Sequence, residues 1–349
     1  MRENEAGRLA EPEQGGGFLA AIVGDGTLLL LAGAGSLVLA GGFAIFLAAS
    51  SEFLPHDIRY LGLSATDLCA VARCRVVAFM VHDRAAFGGA LFAIGVLYAY
   101  LVLFPLRQGE AWAWWLQAIS AGAGFGSFLA YLGYGYLDTW HGLGTMLLLP
   151  IFVIGLLRAR RLVGGPAGPT VLLHPGDPHG LPASLQAGRA CLLLGAAGTA
   201  LGGLAILRVG ITEIFVPEDL AFMGMTTEQL RGISPRLVPL MAHDRAGFGG
   251  AVFTLGLIAF FCLWCSPPTR ALWEAMLISG GVALAAAIGV HRFVGYTDPW
   301  HLAPALTAAA SMVIGLALTF PSTLSRRLTG PGSRPGGLDD PAPPRGDAR

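Results

Sequence analysis

His82-Asp83-Arg84-Ala85-Ala86-Phe87-Gly88-Gly89 recurs almost unchanged as His243-Asp244-Arg245-Ala246-Gly247-Phe248-Gly249-Gly250. Each copy is followed by a second polar signature, Asp138-Thr139-Trp140-His141 and Asp298-Pro299-Trp300-His301. Imidazole exchanges protons or ligates a metal near neutral pH, and guanidinium holds carboxylate or phosphate through paired hydrogen bonds. The candidate ligand-binding residues are therefore His82, Asp83, Arg84, Asp138 and His141 in the first half. Their matches in the second half are His243, Asp244, Arg245, Asp298 and His301. All stand at the mouths of long apolar runs, where ionisable groups are costly and mark candidate sites. Positions 82 to 89 agree with their counterparts at seven of eight places, whereas over 91 to 104 only Phe92/Phe253 and Gly95/Gly256 agree. The polar segment has been held constant while the helix beside it has not.

The elements that position these residues are membrane helices. The chain is 54% hydrophobic and 13% charged, against roughly 25% charged in a soluble domain. Apolar runs of spanning length cover roughly 27 to 49, 77 to 104, 112 to 135, 140 to 158, 190 to 212, 238 to 265, 272 to 295 and 300 to 320. The expected fold is all-α: a polytopic integral membrane protein with eight transmembrane helices in two parallel four-helix repeats. Four spans per repeat is an even number, so both copies enter the membrane from the same side. The repeat extends to Phe53-Leu54-Pro55-His56-Asp57 against Phe215-Val216-Pro217-Glu218-Asp219. Residues 19–162 and 185–325 form the two repeats, joined by a disordered cytoplasmic linker over 163–184 and flanked by disordered ends, 1–18 and 326–349.

All 22 basic residues are Arg. Their bias toward one set of loops, including Arg107, Arg158, Arg160, Arg161 and Arg189, places both termini in the cytoplasm of a cell-membrane protein. The two long loops then lie outside with the four histidines. In them, Ser64-Ala65-Thr66-Asp67 and Thr226-Thr227-Glu228-Gln229 have capping-box spacing and predict a short helix in each. Such a loop either connects spans or covers a site.

Several residues have structural explanations of their own. Asp138 and Asp298 read as helix N-caps, with Pro299 at the first helical position. Trp140 and Trp300 read as interfacial anchors at one face, and Trp112, Trp114 and Trp115 at the other. The paired glycines, with Ala85, Gly89 and Ala93 as a small-residue stripe, read as helix-packing surfaces rather than a phosphate cradle. Arg84 should look for Asp138 or an anionic ligand, since adjacent Asp83 points elsewhere on the helix. His141 and His301, near helix N-termini, should stay neutral and able to accept a proton or a metal. Arg208, Glu213, His291 and Arg292 occur only in the second half and make its outer end more charged.

Three functional readings follow. A small-molecule or ion transporter, or a binding protein, would place the His, Asp and Arg residues in a pocket between the two halves. A redox component would use His82 with His141, and His243 with His301, as ligands of haem or of a metal ion. A structural or accessory protein would use the same polar groups as a helix clasp, with no substrate. The bilayer is the expected partner, and zero net charge points away from nucleic acid. Cys69 and Cys74 could pair on an oxidising side, and Cys262-Leu263-Trp264-Cys265 has metal or redox spacing but no second pair. The chain has no Walker loop, nucleophile elbow, His-Glu-x-x-His or dinucleotide fingerprint.

Overall fold

The structure is a computed structural model that describes residues 23–72, 74–128, 133–136, 139–165, 167–176 and 181–325. The regular elements among the described residues are all helices, without strands. In chain order the helices are α1 (Thr27–Ser50), α2 (Pro55–Leu61), α3 (Ala65–Ala72), α4 (Cys74–Leu103), α5 (Ala111–Phe128) and α6 (Thr139–Ala159). They continue with α7 (Ala183–Ile211), α8 (Pro217–Met223), α9 (Thr227–Ile233), α10 (Leu237–Cys265), α11 (Arg270–Val294) and α12 (Pro299–Ser325). Seven of them are long and apolar enough to cross a membrane, which is the build of a multi-pass membrane protein. The segment expected as a span over 112 to 135 is not among these seven. Its helix, α5, is described only to Phe128 and carries Trp112, Trp114, Trp115 and Gln117 among its small residues.

The long helices form a closed ring in the order α1, α4, α11, α12, α7, α10, α5, α6, with α4 and α10 also touching across the middle. Within each half the four long helices also touch in turn, α1, α4, α5, α6 and α7, α10, α11, α12, and the halves join mainly through α4 with α11 and α10 and through α10 with α5. α4 lies between α1 of its own half and α11 of the other, and α10 lies between α7 and α5. Small residues explain these neighbours. A Cβ on Gly88 would sit 2.8 Å from the Gly41 carbonyl of α1, and one on Gly249 would sit 2.2 Å from the Leu207 nitrogen of α7. Gly89 meets Ala283 and Ala286 of α11, while Gly250 meets Ser127 of α5. The small-residue stripe thus faces the opposite half of the chain.

The connections are more structured than composition suggests. Segment 163–184, expected to be disordered, carries a short 3₁₀ turn at Pro169–Leu173 with Leu172 buried. Trp115 donates its indole N–H to the Ala167 carbonyl at 2.8 Å, and Arg189 donates to the Leu263 and Trp264 carbonyls at the end of α10. Gly176 donates its amide to the Trp264 carbonyl at 2.8 Å and accepts from Arg189, so Leu172, Trp115 and Arg189 hold the described part of a segment rich in Gly and Pro. Trp112 is buried and Trp114, half-buried, bonds the Leu156 carbonyl at 2.7 Å, so these rings take part in packing. Trp300, by contrast, is 84% exposed. The expected termini, 1–18 and 326–349, lie outside the described residues.

Each long loop holds two short helices, not one. Ser64 caps α3 against Asp67, and Thr226 caps α9 against Gln229, as their spacing predicts. The additional helices, α2 and α8, each begin with a proline, which suits the first helical position. Cys69 and Cys74 are joined by a disulfide at the α3 to α4 corner.

Gly249→Ala should destabilise the fold by about 1–3 kcal/mol through overpacking. Gly144→Ala, where an added Cβ meets nothing within 4 Å, should leave stability unchanged or raise it. Thermal unfolding of the two variants in detergent measures the difference.

Candidate functional site

Four carboxylates and two arginines meet where α4 and α10 cross beneath the short helices. Arg84 binds Asp244 through Nε at 2.8 Å and Asp57 through Nη1 at 2.9 Å. Arg245 binds Asp83 through Nε at 3.2 Å and also Asp219. Each arginine therefore takes one partner from the motif of the other half and one from the short helix of its own half, α2 or α8. Two tyrosines complete the arrangement: Tyr136 donates to Asp57 at 2.6 Å and Tyr296 to Asp219 at 3.0 Å. Burial and the Asp219 charge hold the Tyr296 hydroxyl well above the usual phenol range, so it stays a donor. Asp83 and Asp219 are 1% and 0% exposed. Asp57, Asp83, Asp219 and Asp244 against Arg84 and Arg245 leave two more negative than positive charges in this network, a costly balance away from water.

Beside this network three imidazoles converge: His82 of α4, His291 of α11 and His301 of α12, with one ligand atom from each lying within 4.8 Å of the others. Their surroundings decide which nitrogen faces inward. A carboxylate only accepts, so His82 donates from Nδ1 to Asp83 at 2.9 Å. A carbonyl only accepts, so His291 donates from Nδ1 to Ala287 at 2.5 Å. Tyr296 spends its proton on Asp219, and its oxygen then accepts from His301 Nδ1 at 3.2 Å. His82 Nε2 and His291 Nε2 are left facing each other at 3.1 Å. Two lone pairs at that distance repel unless a proton or a cation lies between them.

These residues fit a metal ion. Anchoring the second ring nitrogen on a carboxylate or carbonyl is the usual support of a metal-ligating histidine. Nitrogens about 2.0–2.1 Å from a tetrahedral zinc ion are roughly 3.3 Å from each other, close to the 3.1 Å between His82 and His291, with His301 within 4.8 Å of both. His82 and His291 do not fit as the axial pair of a haem, since axial nitrogens on opposite sides of an iron need about 4 Å between them and an open plane for the macrocycle, and these stand 3.1 Å apart. Among the described residues no other group of three or more His, Cys, Asp or Glu converges in this way. Cys262 and Cys265 are buried free thiols.

One expected pairing is thus corrected. His82 meets His301 of the other half, so His301 does not join His243, while the expected pairing of His82 with His141 falls on a side chain outside the described residues. His243 instead donates to Asp244 at 3.1 Å and faces a cavity of about 400 Å³. That cavity is walled by apolar residues of α1, α4, α5 and α6 and ends on His56, Asp57, Arg84, His243 and Asp244. Arg84 and Arg245 already hold carboxylates, so neither is an anion site awaiting a ligand. Asp298 caps α12 by accepting from the His301 amide at 2.8 Å, the structural role its position suggests. Asp138 lies outside the described residues, as does the side chain of His141. Arg208, Glu213 and Arg292 are exposed, and of the residues peculiar to the second half only His291 enters the site.

Sequence reasoning passed over Asp57, Asp219, Tyr136 and Tyr296 as site residues. A signal was present: each aspartate is the acid kept at matched loop positions, and each tyrosine precedes Asp138 or Asp298 by two residues.

Arg84→Ala should destabilise the protein by about 3–5 kcal/mol, because it leaves Asp57 and Asp244 buried without their cation. Adding Asp244→Ala to that variant should cost less than the two single changes summed, a non-additivity that detergent unfolding of the double-mutant cycle reads directly. No known protein family, curated protein or solved structure matches this chain.

Proposed function

We propose that the protein is a membrane-embedded metalloprotein in which His82, His291 and His301 hold a divalent transition-metal ion of the zinc class. The observation that carries this reading is the convergence of three imidazoles whose other nitrogens are each tied to a separate acceptor, Asp83, Ala287 and Tyr296. Imidazole suits zinc, copper, iron and nickel alike. Three protein ligands leave a fourth position, at which such an ion polarises a small bound molecule or its water.

The chain's own residues do the positioning. Asp83 sets the ring of His82, the α11 backbone sets His291, and Asp219 acts on His301 through Tyr296. The surplus of two carboxylates supplies the opposite charge that a divalent ion needs in a low-dielectric setting. Transport by rocking of two halves is supported less well, since it would separate Arg84 from Asp244 and Arg245 from Asp83. A fixed binding site agrees better with those crossed ion pairs.

The same reading takes the protein as eight spans in two parallel repeats, with α5 as the third span. Matched roles support this: Asp57 with Asp219, Tyr136 with Tyr296, and Arg84 with Arg245. The Cys69–Cys74 disulfide favours an oxidising side for the long loops, in keeping with cytoplasmic termini in a cell membrane.

Elemental analysis of protein purified in detergent without a metal-binding tag tests the assignment. About one equivalent of a transition metal should be bound, without a Soret band, and it should fall to background in His82→Ala and His291→Ala. His243→Ala should keep it. A metal content that is equal in wild type and His291→Ala would overturn the reading.

A further inference from the structure

We infer that the cavity of about 400 Å³ on the first-half side is a second, separate site, which takes an uncharged amphiphile with an apolar body and a hydroxyl or carbonyl head. Its volume lies within the roughly 300–1,000 Å³ of small-molecule sites. Its walls are apolar, from Gly33, Leu37 and Phe43 on α1 to Phe87, Phe125 and Phe152 on the facing helices. Ser120, Ser127 and Thr254 on these walls already donate to helix carbonyls, which leaves little to satisfy a polar molecule along most of its length. Water would be a poor occupant for the same reason, since a buried water needs two to four polar partners.

The head group is specified by the polar end. Arg84 lines the cavity while its Nε and Nη1 reach Asp244 and Asp57, and a guanidinium carries five N–H donors. A neutral oxygen can accept from this arginine, and a hydroxyl can also donate to a carboxylate. An anionic head would lie against Asp57 and Asp244, and a cationic head against Arg84. Both charged forms lose their hydration for a mixed field, whereas a neutral head loses little.

Access is from the lipid. α1 and α6 touch at one end, where Gly26 meets Gly155 and Gly33 faces Phe152. Further along, Leu37, Ala40, Ala44, Gly144, Thr145 and Leu148 line the cavity instead. Phe43, Leu143 and Met146 along this stretch are 55%, 47% and 75% exposed, which makes the outer side of the cavity wall a lipid-facing surface. The corresponding place beside His82 holds His291 and His301, so matched motifs are set to different uses.

Three ten-carbon probes with one tail and different heads test this: 1-decanol, decanoate and decyltrimethylammonium. Native mass spectrometry of the full-length protein released from micelles should show 1-decanol bound about tenfold more than either charged probe. Gly124→Leu should abolish that binding, because Gly124 lines the cavity and an added Cβ meets only Thr254, at 3.7 Å. Gly144→Leu, in the facing wall, provides an independent block. Metal content should be unchanged in both variants, so the fate of this site is read separately from that of the histidine cluster. Equal or tighter binding of a charged probe overturns the neutral-head assignment. Undiminished 1-decanol binding in both folded leucine variants overturns the site itself.

Discussion

The crossed pairing of Arg84 with Asp244 and of Arg245 with Asp83 is the constraint on which the rest of the structure hangs. An arginine buried between helices must find carboxylates, and here each finds one across the α4 to α10 contact and one on a short loop helix. That requirement sets the register of α4 against α10 and draws α2 and α8 down onto the bundle. It also explains the constancy of His-Asp-Arg beside a diverged helix. Changing any one member strands another charge, while apolar residues further along α4 and α10 can drift provided their volume is kept.

Within this frame the two sides differ in how they use the same residues. Around Asp83 and Arg245, His291 and His301 fill the available space and form a cluster of inward nitrogens. Around Asp244 and Arg84 the neighbouring space is open and apolar. A common scaffold of ion pairs thus carries a polar cluster on one side and a hydrophobic chamber on the other. The substitution that separates them most clearly is His291, whose partner position in the first half is Tyr131.

Much of this was legible before any coordinates. Apolar runs marked seven long helices, most ends to within three residues, though α7 begins seven residues earlier than its run and α12 ends five later. Capping boxes at Ser64 and Thr226 marked α3 and α9, because these motifs act locally. The stripe of Ala85, Gly89 and Ala93 was recognisable as a packing face, but not that it meets α11. That choice depends on which of several small-residue surfaces fits, a tertiary matter that no local pattern encodes. The same gap hides that His301 comes to His82 and not to His243. His291 was visible as a charged peculiarity of the second half, yet its role required knowing that α11 lies beside α4. Asp57 and Asp219 looked like loop residues until the short helices were seen to fold inward over the arginines.

The ring order has a consequence for how the chain is made. The face of α4 that carries Gly89 finds its neighbour only when Ala283 and Ala286 have been synthesised, about 200 residues later. At roughly 5–20 residues per second, that is an interval of about 10–40 s. For about the first 160 of those residues α4 stands in the bilayer with Asp83 and Arg84 still without Arg245 and Asp244, their partners from α10. A nascent chain in this condition needs cover from the insertion machinery or from its own α1 and α2, so the late helices govern whether the early ones stay in place.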